Sequence, residues 1–556
     1  MITPFVRTAT LAVLLSPLAS AATLHVDAHL TTGLNDGSSW ADAFQGSQGL
    51  QAALAAAVSS DEIWVADGIY TPTAGTNRAI GFALKNGVTL YGSFAGGEAS
   101  PAERPLFGTS DSVLSGDLSG DDDGGSNAEN SHHVITTTGT NATAIIDGFV
   151  VTAGNANLSG GNRDRGAGII CTGNVGPTVR RCRFIANNCT FGGAAGYVNS
   201  GGFPTFTDCT FEDGNGGSFG GAFDVAGGGP VRWERCLFVG NRAGRGGALE
   251  IFSTNGTVVN NCVFRDNLAT SSTGGGGGLW IGSGGNTQVR NCTIVSNTST
   301  NQNVAGLRNQ SASNVTISNC IFWDNTGPGG TQTPSNQVNN AANVDHSLVM
   351  GGFGGTGGIG NVSGDPQFLN AAAGVYRISP ASPAIDAGDS TMVPLGTTAD
   401  FAGDSRLVDA PSVVDTGVGP APVVDMGAFE FQAVSFLDLG IGGLAGTPGV
   451  PSLTMAGPLT GGSQVDVAVA NALPSSTAYA VAGFGLLVSP LKGGILVPSV
   501  DVLVPLPTDG AGELAFSFSW PGGVPGGALT FFQFWVADPA GPFGFSATSG
   551  VQGTTP

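Results

Sequence analysis

Lysine is nearly missing from this chain: Lys85 and Lys492 are the only two in 556 residues. Charged residues of all kinds make up 11%, and the formal net charge is -21. Nucleic acid and anionic lipid surfaces are held by clustered Lys and Arg, so neither is expected as a partner. So few charges also exclude disorder driven by charge repulsion. No apolar run is long enough for a transmembrane helix. The apolar stretch nearest the N-terminus, "LAVLLSPLA", follows Arg7 and precedes Ala19-Ser20-Ala21. A positive start, a short apolar core and a small-x-small site read as an export signal over residues 1–21. The expected location is therefore secreted or cell-surface, with no transmembrane segment and no cysteine placed to accept a lipid.

Cysteine pairs two to four residues apart, the mark of a zinc-type site, are also missing. The cysteines are spaced instead as a repeat. Six stand at positions 182, 209, 236, 262, 292 and 320, with successive gaps of 27, 27, 26, 30 and 28 residues. Two positions after each come Phe184, Phe211, Phe238, Phe264, Ile294 and Phe322. Three before each come Val179, Phe206, Trp233, Val259, Val289 and Ile317. Five after come Asn187, Asn241, Asn267, Asn297 and Asn325, with Asn215 displaced by one in the second copy. Self-similarity at this period means stacked structural repeats.

Cys and Phe at i and i+2 share one face of a strand. A second strand follows each Gly-Gly, as in "GGAFDV", "GGALEI" and "GGGLWI". Short strands, Gly and Asn corners and no helical period fit one coil of a parallel β-helix per repeat. Equivalent positions then stack at about 4.8 Å, so roughly 12 coils reach about 60 Å. The Cys, Phe and apolar columns become inward ladders. Asn at the corners accepts left-handed backbone, and the Gly pairs permit a bend that a Cβ would block. Cys171 and Cys189 lie off the main ladder, their pairing left open by the spacing.

The stretches "LHVDAHLTTGLNDGSSWADAFQGSQGLQAALAAA", "DEIWVADGIYTP", "NGVTLYGSFAGGE", "SVLSGDL", "YRISPASPAIDAGD" and "VVDMGAFEF" resemble exported right-handed parallel β-helix proteins. These have a pectin-lyase-like fold, belong to the choice-of-anchor Q type and are common in planctomycete-like bacteria. The resemblance covers residues 22–431 and implies a fold and a location rather than a reaction. Within it, "FQGSQGLQAALAAAV" has helical spacing and is expected to cap the first coil. The segment after Asp386 is expected to cover the last one. Residues 432–556 shift in composition to alternating runs such as "SQVDVAVAN" and "LTFFQFWVAD", which argue an antiparallel β-sandwich. This part resembles a recurrent C-terminal module of such proteins.

If Phe223, Leu249, Leu279 and Leu307 face the core, their neighbours form an outward column. That column is Tyr197, Asp224, Glu250, Trp280 and Arg308. Aromatic faces flanking carboxylates suit a glycan. Asp224 and Glu250, one coil apart at about 5 Å, suit a retaining glycosidase pair or a shared cation. Arg308, two coils from Glu250, is a poor base because guanidinium holds its proton. The paired-Asp and Gly-His-Gly motifs of polygalacturonase-type hydrolases are missing, and a plain solvated face is the competing reading. Asp117, Asp121 and Asp123 in "SGDLSGDDDGG" offer hard oxygen ligands for calcium, without EF-hand spacing. No other cofactor is required.

Three functions follow. One is a non-catalytic exported rod with a structural, adhesion or glycan-contact role. The others are a polysaccharide lyase or glycoside hydrolase, and a glycan-binding module without turnover. The expected partner is a polysaccharide or a cell-envelope component. Fold alone does not choose among them.

Overall fold

A computed structural model describes residues 21–555, except 106–107, 109, 123–124, 253–255, 283–284, 311–314, 331, 340–342, 354–357, 411–412 and 433–434. All but the last residue of the export signal thus lies outside the described residues. The described chain is almost entirely β. It forms three long parallel sheets of 12, 10 and 8 strands, followed by antiparallel sheets at the C-terminus. Among the described residues no helix is long and apolar enough to cross a membrane.

One coil shows why this sequence winds. Thr205–Thr207 in the first sheet leads through a corner to Thr210–Glu212 in the second, and after a longer turn to Phe223–Val225 in the third. Phe206 stacks between Val179 and Trp233 in register, and Phe211 between Phe184 and Phe238. The expected ladders are therefore real and fill one continuous core, in which Phe238 and Phe264 stack at 4.4 Å and 5°. All eight cysteines are free and buried, Cys171 and Cys189 included. Burial pushes the Cys171 and Cys182 thiols up to about 12, so these groups pack as small hydrophobes.

The corners differ from expectation in one respect. The left-handed residue is not the ladder Asn but the residue before it: Ala186, Asp266, Ser296 and Asp324 all have φ between 53° and 59°. The Asn itself turns inward and is buried. Asn241, Asn267, Asn297 and Asn325 each send Nδ2 to a carbonyl one coil back, at 2.8 to 3.0 Å. Each also gives Nδ2 to the side-chain oxygen of the next rung, ending on Gln337. Buried backbone donors at the corner thereby find partners without water. In the displaced copy Gly214 takes the rung, and its amide donates to Asn241 Oδ1 at 3.0 Å. A second left-handed corner precedes each ladder Cys, at Arg181, Asp208, Arg235, Asn261, Asn291 and Asn319.

The helix Gly49–Ala56 caps the first coil by burying Leu50, Ala53 and Leu54, as expected. The longest sheet, at 12 strands, spans about 50 Å by strand spacing, close to the expected rod. The last coil is closed by residues 343–353 and 358–362, with His346 N donating to Ile359 O and Val349 N to Val362 O. The segment after Asp386 covers that coil from the flank, where Ala387, Ala410 and Met426 pack with Ile321 and Leu348. It runs back along the side, where Asp389 exchanges two hydrogen bonds with Asn319 and Asn261 donates to Ala399 O. From Phe436 the chain is antiparallel. A three-stranded sheet through Gln464–Ala470 packs on a larger sheet built on Thr477–Gly483 and Leu529–Ala537, with Val467, Phe534 and Val536 between them.

Candidate functional site

The five-residue column predicted on the third sheet exists in register. Tyr197 pairs with Asp224, Asp224 with Glu250, Glu250 with Trp280, and Trp280 with Arg308. It is not solvent-facing, and here the expectation is corrected. Tyr197 and Trp280 are 1% exposed, Asp224 and Glu250 2%. Only Arg308 is half-buried, and its guanidinium is held by Gly274 O and by Gln302 Oε1.

The cover comes from the turn before each Gly pair. Gly220 has φ +49°, and a Cβ there would lie 1.8 Å from Phe223 O. Only glycine makes so tight a reversal, and the reversal lays the preceding residues back over the strand. Arg165, Gly192, Phe219, Arg245 and Gly275 stack as a further parallel column above the third sheet. A Cβ on Gly192 would meet Asp224 Oδ2 at 2.3 Å, so the backbone at Gly192 lies directly on that carboxyl group.

Two arginines seal this layer. The Arg245 guanidinium pairs with Glu250 through Nη2 at 2.7 Å and Nε at 3.1 Å, and lies 4.3 Å from the Phe219 ring and 4.1 Å from that of Trp280. Arg165 donates to the Tyr197 hydroxyl at 2.9 Å and lies 4.0 Å from the Phe191 ring. Phe191 and Phe219 meet edge to face at 4.9 Å. Sheet, cation and ring thus form a second, thin core outside the main one.

Electrostatics separates the two carboxyls. Burial raises Glu250, opposed by the hydrogen bonds and charge of Arg245. Asp224 is pushed up to about 8, first by burial and then by Glu250, with Arg165 and Arg245 pulling it down. Asp224 therefore carries a proton at neutral pH while Glu250 has a cation in contact. Chemically this is an acid beside a paired carboxylate, under a cover that excludes a polymer.

The acidic loop brings Asp117 and Asp121 together with Asp122 and Glu129, one carboxylate oxygen of each within 4.8 Å of the others. Asp123 lies outside the described residues. Asp117 Oδ1 already accepts from the amides of Ser119 and Gly120, which shapes the turn.

Sequence reasoning passed over another charged centre. Asp147, fully buried, takes Arg180 Nε at 2.9 Å, Arg181 Nη2 at 2.6 Å and Arg104 Nη2 at 3.3 Å. The pair Arg180-Arg181 at a corner was the available signal, in a chain with so few cations. Arg104 and Arg181, with Ser93 and Pro101, line a shallow cavity of about 270 Å³.

No protein-family model matches this chain, and no curated protein matches it. Among solved structures the chain is similar to one titled "Crystal structure of pectate lyase Pel9A", at 13% identity and a TM-score of 0.33, over 75% of this chain and 98% of that one. So low a score carries no argument. The parallel β-helix stands on the strand pairing described above.

Proposed function

We propose that this chain is an exported, non-catalytic β-helix protein that acts as a rigid secreted or cell-surface element in contact with polysaccharide or another envelope component. One observation carries the reading: among the described residues, the acidic column at coil spacing with an enzyme-like pair is sealed beneath Gly192, Phe219 and Arg245. A glycan stacks on aromatic faces it can reach, and Tyr197 and Trp280 are spent on Arg165 and Arg245. The net charge of -21 and the small number of cations also weigh against uronate chemistry, which needs positive groups to neutralise the substrate carboxylate.

A carbohydrate-active enzyme is the second reading, and the proton-bearing Asp224 beside Glu250 is what favours it. Incubating the mature chain with acidic and neutral polysaccharides separates the two. Release of reducing ends or unsaturated uronides no faster than in buffer is expected, alongside measurable retention on at least one immobilised glycan or envelope fraction. Turnover that Asp224→Asn abolishes would overturn the non-catalytic reading.

A further inference from the structure

A second acidic cluster, far from the third sheet, is built differently from a solvated loop. Asp386, in "SPAIDAGD", is fully buried and sits in a turn with φ +48°. Its backbone is tied down: its amide donates to Asp425 Oδ1 at 2.7 Å, and its carbonyl accepts from Thr416 and Gly417 at 3.0 Å each. Its side chain is not. Oδ2 takes one weak bond from Ala410 N at 3.3 Å, while Oδ1 is buried with no hydrogen-bond partner. Asp409 and Asp415, both exposed, bring their carboxylates to it, and one oxygen from each of the three lies within 4.8 Å of the others.

That arrangement is costly with nothing bound. An orphaned buried oxygen loses its hydration without compensation. Three carboxylates at this spacing also repel, and burial followed by Asp415 and Asp409 pushes Asp386 up to about 6. Among the described residues, no Lys or Arg is one of the groups that set this balance. One divalent cation removes both costs. A calcium–oxygen distance of about 2.4 Å lets ligand oxygens stand up to about 4.8 Å apart, and an all-oxygen donor set selects a hard ion.

We propose that Asp386, Asp409 and Asp415 form a calcium site that ties the loop carrying Asp409 and Asp415 onto the buried turn at Asp386. Ala384, Ile385, Ala387 and Ala410 share one small apolar cluster with Ile321 and Leu348. The ion therefore reinforces the attachment of the returning segment to the side of the β-helix. Water fills the remaining positions on the open side.

The test uses the full mature chain, stripped with a chelator and titrated with calcium chloride by calorimetry, beside thermal melts with and without the ion. Two double variants are compared: Asp409→Asn with Asp415→Asn, and Asp117→Asn with Asp121→Asn. Both replace exposed or half-exposed groups and leave Asp386 in place. The expected result is that the first pair loses one calcium per chain, or binds it at least tenfold more weakly, and no longer shows the calcium-induced rise in melting temperature. The chelated form of that variant should melt no lower than the chelated wild type, because the repulsion has been relieved. No calcium bound by the wild type at millimolar concentration overturns the proposal. So does binding whose stoichiometry and thermal shift survive in the first pair, or disappear only in the second.

Discussion

Asn267→Ala should cost far more than its single polar side chain suggests. In the wild type Asn267 Nδ2 donates to Phe238 O at 3.0 Å and to Asn297 Oδ1 at 2.9 Å. Its Oδ1 accepts from both the amide and the side chain of Asn241, at 3.0 Å each. Alanine removes four hydrogen bonds inside a dry corner. Asn297 Oδ1 keeps the Asn267 amide and Asn241 Nδ2 keeps Phe211 O, so the Asn241 amide is the group stripped of its side-chain acceptor. Taking about 1–3 kcal/mol for that donor and roughly 1 kcal/mol for each of the three other lost bonds gives a cost of about 4–6 kcal/mol. Because each coil contacts only its neighbours, the loss should appear locally. Native-state hydrogen exchange over residues 238–243 reads it as a fall in opening free energy. Asn215→Ala is the control: its exposed Nδ2 makes one bond, to Asn188 Oδ1 at 2.9 Å, and its loss should cost about 0.5 kcal/mol or less. If Asn267→Ala alters protection by no more than Asn215→Ala, the ladder is ornamental and this account of the corner is wrong.

The sealed column predicts a pH effect whose sign is set by Asp224. Its folded value of about 8 exceeds the ordinary value near 4, so the folded state holds the extra proton. The associated stability is full below about pH 4 and is lost as pH rises towards 8, by at most about 5 kcal/mol. Melting curves of Asp224→Asn should lack this decline, and parallel wild-type and variant profiles would contradict it. Gly192→Ala should lower the melting temperature, because the new Cβ would lie 2.3 Å from Asp224 Oδ2 under a column of packed backbone; an unchanged melt would mean the cover is loose. None of the eight cysteines should react with a thiol reagent in the native chain and all eight should react once it is unfolded, a difference read directly by titration.

Period carried the fold, and it did so because a β-helix repeats its environment as well as its sequence. Phe211 and Phe238 occupy equivalent core positions one coil apart, so the same side chain answers the same packing problem and recurs at a countable interval. The third-sheet column was legible for the same reason: Asp224 and Glu250 are paired in register as their spacing required. What alternation cannot encode is what lies beyond an outward residue. Asp224 points away from the core as expected and is buried nonetheless, because Gly192 and Gly220 let irregular backbone fold over it. Those glycines were visible as bends, but where a bend lays the preceding residues depends on torsions that no periodicity reports. The Asp386 cluster escaped for a related reason. Asp386 and Asp415 stand almost thirty residues apart in a stretch without repeats, and only the returning path of the chain brings them together.

These two cases bear on function in opposite directions. In the third sheet the repeat produced an acidic pair that looked catalytic, and the turn geometry then closed it off with Arg245 and Phe219, giving the pair a packing role. In the returning segment no repeat advertised a site, yet Asp386 keeps an unpartnered side-chain oxygen while its own amide and carbonyl are both bonded. A solenoid can build long polar columns at no extra cost, since each coil copies the last. For that reason a column is weak evidence of a site, and a single unsatisfied atom outside the repeat is stronger. The first experimental effort on this protein therefore belongs at Asp386, Asp409 and Asp415, with Asp224 and Glu250 examined as structural residues.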